Sequence, residues 1–184
     1  LTSQGIASVA IGDEAGQTGQ GTYSIAIGLS AGRIEQGNYS VATGWNTGQT
    51  EQGNNNVAIG TTSGQIGQGD SSVAIGDSAG NTGQGVRSVA IGLHAGQTEQ
   101  NQNSVALGTF AGRTNQGLSS IGIGTRAGES NQGNFGIGIG QNAGQNAQGL
   151  ASVAVGNNCG ATNQDDNSIA IGNTAGKTSQ GFDS

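Results

Sequence analysis

An all-β parallel solenoid, a β-roll with two short strands in each sixteen-residue turn, is the fold this sequence predicts. Three observations predict it. The element Ser-Val-Ala-Ile-Gly, or a near variant, starts at Ser8, Ser24, Ser40, Asn56, Ser72, Ser88, Ser104, Ser120, Gly136, Ser152 and Ser168, always sixteen residues after the last. Glycine takes fixed places in that period, supplying 38 of 184 residues, while proline is absent. Apolar β-branched residues alternate with small ones, and no stretch sustains the three-and-four spacing of an amphipathic helix.

A short period that never varies makes a quasi-one-dimensional array, in which each turn touches only its neighbours. Residues 1–184 therefore read as a single array, with full repeats over 8–183 and a partial repeat over 1–7. About eleven and a half turns, each rising about 4.8 Å, give a body on the order of 55 Å long.

Each element follows from what its positions permit. We number the unit one to sixteen, as in Ser72 to Arg87. Position two is always Val or Ile, and position four is Ile except at Thr43, Leu107 and Val155, so these residues form the first strand. Glycine at positions five and nine, from Gly12 and Gly16 to Gly172 and Gly176, brackets two variable residues and a small one, which makes a corner. Position fourteen is Gly except at Asn101 and Asp165, both tolerant of left-handed backbone, which marks a second corner. Between the corners, positions ten to thirteen, Gln-Thr-x-Gln, form the second strand.

Position thirteen is glutamine in every unit: Gln20, Gln36, Gln52, Gln68, Gln84, Gln100, Gln116, Gln132, Gln148, Gln164 and Gln180. Stacked amides one turn apart both donate and accept, so a structural ladder is expected. The first strand has two possible pointings. With Val and Ile inside the roll, each contributes roughly 1.5–3 kcal/mol of burial, and the small residues form an outer face. With the opposite pointing, an Ala/Gly seam lies inside and an exposed aliphatic stripe demands a partner. The first is adopted as the expectation, which makes Ala58, Ala74, Ala90 and Ala106 the candidate interface for a neighbouring rod.

Composition excludes several function classes. Five bases and eleven acids are scattered, for a net charge of −6, so nucleic acid is not an expected partner. No long apolar run is present, and membrane insertion of this segment is not expected. Cys159 replaces a residue that is usually Ala and reads as a tolerated small side chain. His94, at a variable corner, has no second His or nearby Cys and reads as a solvated residue, not as a metal ligand or triad member. The glycine spacing of GIGIGQNAG at 136–144 lacks the following helix that a phosphate cradle needs. The adjacent pairs Asp13-Glu14 and Asp165-Asp166 do not converge for acid–base work or calcium. No catalytic residue, metal or cofactor is expected. Tyr23 and Tyr39 share a position in successive turns and should stack. With Trp45 they are the candidate ligand-facing aromatics.

The unit resembles the head repeats of trimeric autotransporter adhesins, most closely in NSVALG at 103–108 and NSIAIG at 167–172. With its AGQTxQG half it is also similar to repeats in fibre and surface proteins of bacteriophages and large algal viruses. The adhesin resemblance implies a left-handed parallel β-roll, assembled as a homotrimer, that projects from a cell surface and binds host or matrix components. The expected function is a non-enzymatic structural or adhesive module at an extracellular, cell or virion surface. It would associate with further copies laterally or end to end, because the chain starts and stops in mid-repeat, and its possible partner is a host-surface protein or glycan. The alternative is an ice-binding solenoid, suggested by Thr at position eleven in seven of eleven units. That rank is interrupted by Ile34, Ile66, Ser130 and Asn146.

Overall fold

The computed structural model describes residues 3–181 and 183–184. Its first strands, three residues each from Val9–Ile11 to Ile169–Ile171, form one eleven-stranded parallel sheet in chain order. Register is sixteen residues throughout, as in Val57↔Val73, Ala58↔Ala74 and Ile59↔Ile75. The second strands form a three-stranded sheet, Ile34–Gln36 to Ile66–Gln68, and a six-stranded one, Thr98–Gln100 to Thr178–Gln180. Bridges through Thr82 join them. No helix is present among the described residues. The stacked parallel turns are the β-solenoid that the period predicts.

Backbone hydrogen bonds tie each turn to both neighbours. Val73 N–H donates to Ser88 O at 3.0 Å, and Gly76 N–H donates to Ile59 O at 2.9 Å. The second strand covers positions eleven to thirteen, one residue fewer than expected, and its middle residue is left-handed, as at Glu51 with φ 54°.

The pointing of the first strand is the reverse of the expectation. Ala26, Ala42, Ala58, Ala74, Ala90, Ala106 and Ala154 are completely buried, while Ile59 and Leu107 remain 39% and 41% exposed. Alanines of position eight, such as Ala79, Ala95 and Ala111, pack on them to form the core. Lumen width is the reason. A Cβ placed on Gly80 would lie 2.7 Å from Gln84 Oε1 and 3.2 Å from the Ala74 Cβ. A sixteen-residue turn with a glutamine lying across it has no room for two layers of branched side chains. Position-one serines are also inside, and Ser72 Oγ donates to Gly69 O at 2.6 Å.

The glycines divide by cause. Gly76 has φ +129°, and a Cβ there would lie 2.6 Å from Gly92 O, so conformation and close approach both require it. Position fourteen differs from expectation. Gly117 is not left-handed, and the glycine is needed because a Cβ would come within 2.5 Å of the Gly133 carbonyl carbon one turn on. The left-handed residue of that corner is position sixteen, for example Tyr39 with φ 56°.

Candidate functional site

The surface is governed by what the core takes in. Each position-thirteen glutamine from Gln20 to Gln164 is at most 3% exposed and lies across the lumen. Its amide donates to the position-two carbonyl of its own turn, as in Gln84 Nε2 to Val73 O at 2.8 Å and Gln116 Nε2 to Val105 O at 2.7 Å. The same group also reaches the next glutamine along a run from Gln84 through Gln100, Gln116 and Gln132 to Gln148, at 3.1–3.2 Å per link. Gln52 reaches Gln68 at 3.1 Å, and Gln164 reaches Gln180 at 3.5 Å. Between these runs the Oε1 atoms of Gln20, Gln36, Gln52, Gln84 and Gln164 are buried without a donor. The cross-lumen bond is the regular feature, and nothing in the residue pattern distinguishes it from a ladder between turns.

With alanine and glutamine inside, the aliphatics face out. Val57, Val73 and Val89 in one rank, and Ile59, Ile75 and Ile91 in the other, belong to a face eleven strands long. Thr43 is the polar residue in the second rank. Strand spacing and rise make this face roughly 50 Å long, with about 7 Å between ranks. The candidate interface at Ala58, Ala74, Ala90 and Ala106 is therefore corrected. These side chains are 0% exposed and cannot meet a neighbouring rod. The exposed surface of the same strand is the Val/Ile face.

The corners carry the aromatic residues. Tyr23 and Tyr39 stack with centroids 5.4 Å apart and planes at 16°, and both are more than half exposed. Trp45, 52% exposed, follows the opposite end of the first strand at position six, so the three aromatics do not form one cluster. His94 is not the isolated solvated residue that the sequence suggested. Its ring stacks on Phe110 with centroids 5.3 Å apart and planes at 4°. Arg113 and Arg126 also lie against that ring, at 5.2 and 5.8 Å. The sixteen-residue offset of His94 and Phe110 was the available signal.

Polar caps at the second corner were also missed. Thr22, Asn38, Asn54, Leu118 and Leu150 each donate the backbone N–H to an Asn or Asp Oδ1 at the same position of the next turn, at 2.7–2.9 Å. Cys159 is buried, its Sγ donates to Ala170 O at 2.7 Å, and burial pushes its thiol pKa up. Among the described residues no three His, Cys, Asp or Glu side chains converge to hold a metal.

Residues 147–175 match the family model of the YadA head domain repeat, in two copies. No curated protein and no solved structure matches the chain. The matched units carry NSIAIG, and their strands Val153–Val155 and Ile169–Ile171 pair in the same sheet and register as the rest. The family match thus supports head-type repeats at residues 147–175, and the stacked parallel turns show the same β-roll arrangement along the array.

Proposed function

We propose that this chain is a non-enzymatic, stiff segment of an adhesin-type surface or fibre protein, exposed outside the cell or on a virion. Its Val/Ile face packs against further copies. The observation that carries this reading is the uninterrupted sheet, with two ranks of partly exposed residues in continuous register, all Val or Ile except Thr43 and Leu107. Soluble monomers scatter such residues singly, and a contiguous apolar face of this length is characteristic of an interface. The likeness to heads of trimeric adhesins favours three copies over two, each covering the aliphatic face of another around a common axis. The corner residues, which vary from turn to turn, are left on the outside for recognition.

Light scattering on the purified chain tests the assembly. The expected mass is three times the 17.9 kDa of one chain. Replacing Val73 and Ile75 by Lys should yield a folded monomer, since both side chains are only half-buried and neither fills the lumen. A wild-type monomer at micromolar concentration would overturn the self-association. Ice binding has weaker support, because the threonine rank is single and broken by Ile34 and Ile66. Measurable thermal hysteresis would favour it.

A further inference from the structure

Charge is unevenly placed along the array. Residues 100–164 contain two arginines, Arg113 and Arg126, against one acid, Glu129, for a local net of +1 in a chain of net −6. Both arginines reach one ring, their Cζ atoms 5.2 and 5.8 Å from the Phe110 centroid. The repeat puts them there. His94, Phe110 and Arg126 hold position seven of successive turns with φ of 55°, 59° and 58°, and Arg113 lies three residues beyond Phe110. The ring is thus flanked by an imidazole from the preceding turn and a guanidinium from the following one.

Glu129 positions this pair without using up its donors. Its side chain is 15% exposed and accepts from Gln145 Nε2 at 2.7 Å. It stands 4.0 Å from Arg113 Nη1 and 3.9 Å from Arg126 Nε, beyond hydrogen-bond length. Arg113 Nε donates to Gln97 Oε1 at 3.0 Å, which fixes that side chain further. The Arg126 guanidinium meets Glu129 and the Phe110 ring. The two arginine side chains are 43% and 51% exposed. Two planar forks, oriented from behind and open in front, match a carboxylate. The Phe110 ring lies against both, and Thr109 and Thr125 precede Phe110 and Arg126 in the chain at the same corner of their turns.

We infer that the Phe110–Arg113–Arg126 corner is a binding site for the carboxylate-bearing sugars of an acidic polysaccharide. The guanidiniums, held on the Phe110 ring, take the carboxylate, and the hydroxyls of Thr109 and Thr125 take those of the sugar. This deepens the adhesive reading above by assigning a ligand class to one corner, and it rests on that reading.

The test is retention of the purified full-length chain on immobilised polygalacturonate at low salt, beside neutral dextran and dextran sulfate. Retention on polygalacturonate but not on dextran is expected. Arg113→Gln with Arg126→Gln should weaken it about tenfold or more, whereas Arg87→Gln with Lys177→Gln, an equal change of charge elsewhere, should leave it within about twofold. Thermal midpoints recorded for each variant separate lost binding from lost folding. Arg126→Gln alone, at a half-exposed side chain, carries the test if the double variant does not fold. Absence of retention overturns the site, as does equal weakening in the control variant or binding to dextran sulfate alone. A chain that forms trimers yet ignores polygalacturonate overturns this site and leaves the proposed assembly standing.

Discussion

Gln84 Nε2 donates to Val73 O at 2.8 Å across the lumen, joining the segment that follows the Thr82 bridge to the first strand of the same turn. The bond closes the turn on itself, while the backbone ladder ties it to its neighbours. A core of alanine, serine and glycine has little apolar area to bury. Buried amides and serine hydroxyls supply in hydrogen bonds what such a core lacks in apolar contact.

Gln84→Leu should therefore destabilise by about 1–3 kcal/mol, since it removes the cross-lumen bond to Val73 O and leaves Gln100 Oε1 buried without its donor. The thermal midpoint measures this. An unchanged midpoint would show that the cross-lumen bond contributes nothing.

Two glycines should respond in opposite ways. Gly76→Ala places a methyl 2.6 Å from Gly92 O at φ +129°, and a loss of several kcal/mol is expected. Gly67→Asn, at φ +64° with nothing within 4 Å of the added Cβ, should change the midpoint little, because asparagine tolerates that region and asparagine already occupies it at Asn115 and Asn131. Denaturation curves of the two variants make the comparison.

Whole turns should be removable. Deleting Ser72 to Arg87 preserves every sixteen-residue register, so a folded rod one turn shorter is expected. Deleting eight of those residues sets a first strand against a second strand and should abolish the circular dichroism signal of the sheet.

The raised thiol pKa of Cys159 gives a pH dependence of known sign. Burial raises it above its ordinary value of 9.0, so the unfolded chain loses this proton first as pH rises. The contribution of Cys159 to stability is complete below that value and falls as pH climbs toward the folded-state pKa. Cys159→Ala should flatten this part of the stability profile between neutral and strongly alkaline pH.

Much of this was legible because a solenoid repeats its evidence. The period fixed the parallel register, Val-Ala-Ile marked the first strand, and the shared position of Tyr23 and Tyr39 implied their stack. What one chain cannot decide from alternation is which of two alternating sets is inside, since Val73–Ala74–Ile75 satisfies a period of two either way. Hydrophobicity favours the aliphatics, but lumen volume outweighs it once Gln84 must lie across the turn. The left-handed positions seven, twelve and sixteen were marked by asparagines such as Asn142, Asn131 and Asn103, a signal that position-fourteen glycine obscured. The Arg113–Arg126 pair was hidden because its members occupy different positions of different turns.

The reversed pointing is the claim on which the core, the interface and the proposed assembly all depend, and thiol labelling tests it most directly. In a Cys159→Ala background, single cysteines are placed at Ala74 and at Ile75. At position 75 the thiol should react in dilute, dissociated protein and become protected as the chains assemble, while at 74 it should stay protected at every concentration until the protein unfolds. Labelling at 74 as fast as at 75 in the folded chain would contradict the account.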